Sequence, residues 1–218
     1  MNKRRAFFIQ GLRLLGAASL ALSWPGRLWA QGKRRILPSH IKATDLAQYN
    51  PRSIDNRNLS LTPIDQFGTM GQSDLDVDPV RWRLLVDGEV ERPLSLSLEQ
   101  LKARPVLESK VLLICPGVFS FNALYKGLSL GALLQEAKPR ARADRVTIRG
   151  VGGAGAKVEH FSLREVLSDE VFLAYQVNGR DLPRKHGFPL RVVAGSHYGD
   201  DWVKYVARVS LSASGKKG

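Results

Sequence analysis

The residue with the most distinctive chemistry in this sequence is Cys115, the only cysteine among 218 residues. It follows four apolar residues, 111–114, and Pro116 and Gly117 come directly after it. An apolar run of this length that is bounded by a Pro-Gly turn signal is typical of a buried strand. We therefore predict a strand over residues 110–115 that ends with one thiol at the mouth of a pocket.

A lone cysteine leaves three interpretations open. A nucleophilic thiol needs a base beside it, and the sequence alone places none of the four histidines there: His40, His160, His186 and His197. A soft thiolate can instead bind a soft metal, but a single cysteine suffices only where a cofactor supplies the other ligands. The third interpretation is a buried, inert side chain.

A second group of polar residues lies near the C-terminal end, in HGFPLRVV at residues 186–193 and HYGDDWVK at residues 197–204. Arg191 falls within an otherwise apolar strand, and a buried arginine needs an anionic partner. Because a guanidinium grips phosphate oxygens in two places, a phosphate in the pocket would provide that partner, and Lys204 would add a second charge. The alternatives are that Arg191 faces solvent and that Trp202 is a plain core residue.

The elements expected to position these residues are short strands with brief helices between them. Apolar patterns predict strands at 82–86, 94–96, 145–149, 157–161, 171–177, 189–193 and 203–211. Hydroxyl caps predict helices after Ser97, Ser129 and Ser162, and Asn178-Gly179 predicts a hairpin. Residues 150–155 match a dinucleotide-binding fingerprint only formally, because a strand follows them, so we predict a hairpin loop there. The fold class is α+β, a β-rich domain of mixed sheets with short helices.

The N-terminal residues read as an export signal. Arg4-Arg5 followed by Phe7-Phe8 resembles the twin-arginine consensus, and the apolar stretch 14–24 is too short to span a bilayer. Cleavage near Ala30 would leave a periplasmic protein, whereas an uncleaved signal would tether it to the membrane. We therefore divide the chain into a signal peptide (1–30), an extended segment (31–60), one domain (61–212) and a basic tail (213–218).

The charge of the chain points to acidic partners. Its net charge is +13, and without the five basic residues of the signal it is +8, from 28 basic and 20 acidic residues. This balance suits an acidic protein, an anionic cofactor or a membrane surface. We find no nucleic-acid recognition motif and expect no nucleic-acid partner.

Several short motifs follow one another along the chain: Asp87-Gly88, Pro93-Leu94-Ser95-Leu96, Cys115-Pro116-Gly117, Gly127-Leu128-Ser129-Leu130, Ala174-Tyr175, Asn178-Gly179, HGFPLRVV and YGDDWVKYV. In this order and spacing they resemble the molybdopterin-binding domain of the sulfite oxidase family, over roughly residues 60–212. Phe67-Gly68-Thr69 also resembles a segment near the metal in the periplasmic methionine-sulfoxide reductase branch of that family.

The resemblance implies a cofactor, molybdenum-molybdopterin (Mo-MPT), and a reaction, two-electron oxygen-atom transfer. By resemblance, Cys115 is the molybdenum ligand and the catalytic residue. The resemblance also implies that the pterin and its phosphate are contacted by Gly150, His186, Arg191, Trp202, Val203 and Lys204. No second redox centre is encoded, so we expect electrons to pass to or from a separate haem protein. Export through the twin-arginine machinery fits a cofactor that is inserted before transport.

The chain also departs from its best-known relatives around Cys115. Sulfite oxidases have an arginine soon after the cysteine, where this chain has Phe119 and Phe121, and this difference points away from sulfite. The reductase branch has Cys-Val-Glu at Cys115-Pro116-Gly117 and asparagines at Thr62-Pro63, which leaves that substrate open too. We therefore expect an oxidoreductase acting on a small S- or N-oxide at a less polar mouth. The alternatives are a cofactor-free scaffold that retains the fold and a cysteine-nucleophile hydrolase.

Overall fold

The computed structural model describes residues 34–214. The export signal predicted at 1–30 and the tail residues 215–218 lie outside this range. No helix within residues 34–214 has the length and apolar character needed to cross a membrane.

The described chain contains twelve strands and three short α-helices. The strands are β1 (Arg35–Ile36), β2 (Ile54–Asp55), β3 (Leu84–Gly88), β4 (Leu94–Leu96), β5 (Leu107–Cys115), β6 (Phe119–Leu128), β7 (Arg145–Gly150), β8 (Val158–Ser162), β9 (Val171–Val177), β10 (Arg180–Asp181), β11 (Arg191–Ala194) and β12 (Val206–Ser212). The helices are α1 (Leu98–Lys102), α2 (Leu130–Ala137) and α3 (Leu163–Leu167). This composition confirms the predicted β-rich α+β class.

The first of two five-stranded sheets carries the cysteine. Its order is β10-β9-β6-β5, and β11 pairs with β9. Strands β5 and β6 form an antiparallel hairpin in which Cys115 is paired with Phe119. Gly117 has a φ of +71°, which glycine adopts without a Cβ clash, and the Val118 amide donates to the Cys115 carbonyl at 3.1 Å. The tight turn thus places the thiol at the end of a strand that pairs with β6 along its whole length.

Strand β6 is the main element absent from the sequence prediction, which assigned no strand between the cysteine and the second helix. It is ten residues long, and its polar members Ser120 and Asn122 are buried. The Asn122 side chain donates to the carbonyls of Leu59 and Ser60, and its backbone amide donates to the Thr62 hydroxyl. Buried polar side chains that hydrogen-bond to a neighbouring loop remove the apolar alternation by which a strand is recognised.

The second sheet has the order β4-β3-β12-β7-β8. Its strands are antiparallel except for the parallel pair of β12 with β3. The glycine-rich residues 150–155 connect antiparallel strands β7 and β8, so they form the predicted hairpin connection. Predicted strand 82–86 is shifted to β3, and predicted strand 203–211 begins later, at Val206.

Residues 34–60 differ from the extended segment that the sequence suggested. They contain β1 and β2 and two 3₁₀ turns, Ala43–Leu46 and Pro51–Ser53. Their apolar side chains form a small core with Leu112 and Ile114 of β5. The alternate β5 residues Val111, Leu113 and Cys115 belong instead to the main core between the sheets. The period of two along β5 therefore directs the thiol away from the N-terminal segment.

The helix caps agree with the sequence. Ser97 and Ser162 each form a capping box, with Gln100 and Glu165 respectively as its second member. The Ser129 hydroxyl accepts a hydrogen bond from the Ala132 amide at 2.9 Å and begins α2. Each cap pairs an amide that would otherwise lack a partner in the first turn.

Candidate cofactor site

A cavity of about 240 Å³ lies in front of Cys115. Five parts of the chain meet there: residues 68–72, the adjoining ends of β5 and β6, the β7–β8 connection with Val151 and Lys157, the stretch 186–191, and the stretch 199–205. Five of the seven predicted site residues line it: Cys115, His186, Arg191, Trp202 and Lys204. The fold thus brings together residues that are up to 89 positions apart in sequence, from 115 to 204.

The thiol of Cys115 is nearly enclosed, with 6% of the residue exposed. Its Sγ lies 2.9 Å from Sδ of Met70. Burial raises the pKa of the Cys115 thiol, and the nearby Asp200 carboxylate raises it further, because both disfavour the thiolate. Sequence reasoning missed Met70, which lies in a segment without periodicity. The one sequence feature that pointed to this segment was Phe67-Gly68-Thr69, directly before Met70, which resembles a segment near the metal in the reductase branch.

His186 is a buried histidine with one ring nitrogen unused. It is 2% exposed, and its Nε2 has no hydrogen-bond partner among residues 34–214. Phe67 and Phe121 approach its ring at centroid distances of 5.5 and 6.4 Å. Burial, followed by the positive charges of Arg191, Lys185 and Lys204, lowers the pKa of His186 to about 3. The imidazole is therefore neutral at ordinary pH and leaves one nitrogen available to a ligand.

Arg191 is buried rather than solvent-facing, so the alternative of an exposed side chain is wrong. It is 4% exposed, and its guanidinium donates to the backbone carbonyls of His186 at 3.1 Å and Val192 at 3.4 Å. It also lies 5.7 Å from the ring centroid of Tyr125 and 5.3 Å from that of Trp202. Neither hydrogen bond reaches a carboxylate, and desolvation lowers the Arg191 pKa. Among the described residues, the side chain is thus a buried cation that no salt bridge balances.

Lys204 fastens two walls of the cavity together. Its Nζ donates to the Thr69 hydroxyl at 3.2 Å, to the Met70 carbonyl at 3.0 Å and to the Lys185 carbonyl at 3.2 Å. Burial and the charge of Arg191 lower the pKa of Lys204 to about 8. Two cations, Arg191 and Lys204, therefore line the same space, and neither forms a salt bridge within residues 34–214. This arrangement is suited to an anion.

The remaining two predicted residues, Gly150 and Val203, lie behind the cavity wall. The Val203 carbonyl accepts a hydrogen bond from the Val192 amide at 2.8 Å, which holds the 202–204 stretch against β11. A Cβ at Gly150 would approach the Lys204 carbonyl oxygen to 2.7 Å, closer than real contacts allow. Both residues thus position the Lys204 backbone and do not face the cavity themselves.

His197 belongs to a separate cluster. Its Nδ1 lies 3.2 Å from Asp201, and its Nε2 lies 3.2 Å from Glu165 of the α3 capping box. The Trp202 indole donates to the Ala194 carbonyl at 2.9 Å, close to this cluster in sequence. The histidine therefore anchors the loop that carries Trp202 and does not line the cavity.

Comparison with known proteins agrees with this architecture. The family model of the oxidoreductase molybdopterin binding domain matches residues 70–218. A protein-methionine-sulfoxide reductase catalytic subunit, MsrP, from Gluconobacter oxydans (strain 621H) is 28% identical over 166 residues, which are 67% of this chain and 53% of that protein. The chain thus spans about half the length of this curated relative.

A solved structure shows a similar fold. The crystal structure of the sulfane dehydrogenase SoxCD from Paracoccus pantotrophus superimposes with a TM-score of 0.62 at 25% identity, covering 72% of this chain and 48% of that one. The family match extends over most of the chain and includes every predicted site residue. The chain therefore belongs to the oxidoreductase molybdopterin-binding domain family, which confirms the sulfite oxidase fold and the oxidoreductase class predicted from its sequence.

Proposed function

We propose that this protein is an exported Mo-MPT oxidoreductase that transfers an oxygen atom to or from a small S- or N-oxide substrate. The observation that carries the proposal is the charge of the cavity. Within residues 34–214, Arg191 is buried without a carboxylate partner, close to Lys204 and to the neutral ring of His186, whose Nε2 is unpartnered. Natural proteins seldom bury an unbalanced cation unless a ligand completes the site.

The residues present fit such a cofactor. Cys115 offers the soft sulfur that molybdenum accepts, and Arg191 and Lys204 would hold a phosphate. His186, whose Nε2 is unpartnered within residues 34–214, and Trp202 line the same space. When bound, the cofactor would supply the two-electron oxygen-atom chemistry. The chain's own part is to bind it, to orient it and to exclude water from Cys115.

The two walls of the cavity would be held in a fixed arrangement by Lys204. Lys204 is hydrogen-bonded to both Thr69 and Lys185, so the segment that carries Met70 is fixed to the stretch that carries His186. Gly150 allows the Lys204 backbone to approach β7 closely. Since Met70 Sδ is 2.9 Å from Cys115 Sγ, a group bound at this sulfur requires the exposed Met70 side chain to turn away.

The hydrolase alternative conflicts with the electrostatics of the thiol. A nucleophilic cysteine needs a lowered pKa and a basic partner. Here burial and Asp200 raise the Cys115 pKa, and His186 has a pKa of about 3, so it is a poor base. The cofactor-free scaffold is the remaining alternative, and cofactor content separates it from the enzyme.

We further propose a periplasmic location and a separate haem protein as the electron partner. The twin-arginine pattern at 1–30 supports export of a folded, cofactor-loaded chain. The net charge of +8 without the signal, from 28 basic and 20 acidic residues, would steer an acidic partner to the surface. The relative from Gluconobacter oxydans is named a catalytic subunit, and we extend that division of labour to this chain as part of the proposal.

The test is turnover by protein produced in a host that makes the cofactor. We expect oxidation of a reduced dye to depend on an added sulfoxide or N-oxide, and we expect Cys115→Ala to abolish it. Ser109→Ala, on the same strand but distant from the thiol in sequence, is the matched control and should retain activity. Wild-type protein that is folded, carries no molybdenum and turns over none of these substrates would support the scaffold instead.

A further inference from the structure

One carboxylate stands at the cavity beside the thiol. Asp200 lies in the 3₁₀ turn Gly199–Asp201 and lines the cavity together with Cys115. The turn is packed against the end of β5, because a Cβ at Gly199 would meet the Leu113 side chain at 2.8 Å and the Ile114 carbonyl oxygen at 3.3 Å. Asp200 is therefore held on the Cys115 side of the cavity by a close backbone contact.

The charge of Asp200 is not balanced by a neighbour. Asp201, the next residue, lies 3.2 Å from His197, whereas Asp200 forms no salt bridge within residues 34–214. Asp200 is also exposed to solvent, although it is one of the residues that line the cavity.

The cations of the cavity are engaged elsewhere. Lys157 is paired with Glu159 at 2.5 Å, and Lys204 is hydrogen-bonded to three oxygens of the wall. Arg191 is buried among carbonyls and aromatic rings. Around Cys115 itself the other lining side chains are apolar, chiefly Met70, Phe119 and Phe121. The part of the cavity next to the thiol is thus lined by apolar side chains and one negative charge, whereas the cations Lys157, Arg191 and Lys204 line the rest of it.

We propose that Asp200 is a specificity-determining residue that disfavours anions at Cys115 and favours uncharged or cationic substrates. The inference rests on the proposed function for its biological meaning, because it narrows the oxide substrate to a neutral or cationic class. A fixed negative charge beside the reacting position lowers the local concentration of anions and leaves neutral molecules unaffected. Oxyanions such as sulfite are then poor substrates for an electrostatic reason.

The first test uses two alkylating reagents of similar shape and different charge on the cofactor-free protein. Neutral iodoacetamide and anionic iodoacetate both react with Cys115, and the ratio of their rate constants cancels the thiolate fraction. We expect Asp200→Asn to lower the preference for iodoacetamide about tenfold. Glu108→Gln removes an exposed acid at the far end of β5 and should change the ratio by less than about twofold. An unchanged ratio in Asp200→Asn overturns the inference.

The second test uses the loaded protein with dimethyl sulfoxide as the neutral substrate and sulfate as an anionic competitor. Asp200→Asn should tighten sulfate inhibition about tenfold relative to the KM for dimethyl sulfoxide. Sulfate inhibition that stays the same contradicts the role of Asp200. The two proposals fail separately. If the wild type turns over no oxide but Asp200→Asn lowers the preference for iodoacetamide, only the proposed enzymatic function is refuted. Oxide turnover with an unchanged ratio refutes only the role of Asp200.

Discussion

Replacing Arg191 with methionine should affect the cofactor-free protein little and the loaded protein strongly. Removing the buried guanidinium relieves a desolvation cost of several kcal/mol. Against this, two hydrogen bonds from a charged donor are lost, each contributing about 1.5–3 kcal/mol. Cation-π contacts with Tyr125 and Trp202 are lost as well, at about 0.5–2 kcal/mol each. The gain and the losses have opposite signs, and replacing a buried ion with a well-packed apolar residue of similar volume is often neutral. We therefore expect the free energy of unfolding to change by less than about 2 kcal/mol.

The loaded protein should behave differently, because the cofactor would supply the anion that Arg191 lacks. A ligand present at about 1,000 times its Kd stabilises the folded state by about 4 kcal/mol. Loss of one charge-assisted phosphate contact should remove about 1.5–3 kcal/mol of that stabilisation, a weakening of about 10- to 150-fold. Arg191→Met should therefore retain much less cofactor after dialysis than the wild type does.

The assay is urea unfolding of matched preparations, made with and without cofactor synthesis in the host. Arg149→Met makes the same substitution at an exposed arginine of β7 and should leave both preparations unchanged. The reasoning is refuted if cofactor-free Arg191→Met loses about 3–5 kcal/mol while cofactor retention is unaffected. That loss is typical of a buried cation deprived of an essential protein partner, and it would make Arg191 a purely structural residue.

Three further predictions follow from single contacts of the cavity. Because the pKa of His186 is about 3 in the folded chain and near 6.5 in the unfolded chain, protonation of the unfolded chain should lower the stability of the protein as the pH falls below 6.5. Nitrogen NMR of the ring should show no protonation of the folded protein between pH 5 and 8, and a titration midpoint near 6.5 would contradict this. Gly150→Ala should destabilise the protein by about 1–3 kcal/mol in thermal or urea unfolding, because the new Cβ meets the Lys204 carbonyl. Gly155→Ala adds a Cβ in open space and should be neutral, and equal effects of the two substitutions would refute the contact. Met70→Ala should accelerate iodoacetamide labelling of cofactor-free Cys115, while Val80→Ala at another exposed apolar side chain should not; equal labelling rates would show that Met70 does not cover the sulfur.

The placement of Cys115 could be predicted because its cause is local. An apolar run followed by Pro-Gly fixes a buried strand that ends in a turn, and the structure has β5 ending at Cys115. The buried state of Arg191 was one of two interpretations, since a period of two does not say whether one or both faces of a strand are covered. Strand β11 is buried at all four positions, which shows that both of its faces are covered and that Arg191 is buried.

The rest depended on contacts between distant segments. Strand β6 escaped recognition because its buried Ser120 and Asn122 are satisfied by carbonyls from the N-terminal part of the chain. These carbonyls belong to the segment 31–60 that the sequence suggested was extended. The contact between this segment and β6 therefore explains why neither the strand nor the folded N-terminal segment was predicted. Met70 and Asp200 reach Cys115 only through tertiary packing, so the motifs beside and around them do not show that either residue lies near the thiol.

The central claim is that this cavity holds Mo-MPT on Cys115 and the cations opposite it. The most direct measurement is the molybdenum and pterin content of protein exported by a host that makes the cofactor. We predict about one molybdenum atom and one pterin per chain in the wild type and in Arg149→Met. Cys115→Ala should lose the metal, and Arg191→Met should lose both components on dialysis. Folded wild-type protein without molybdenum or pterin would contradict the account.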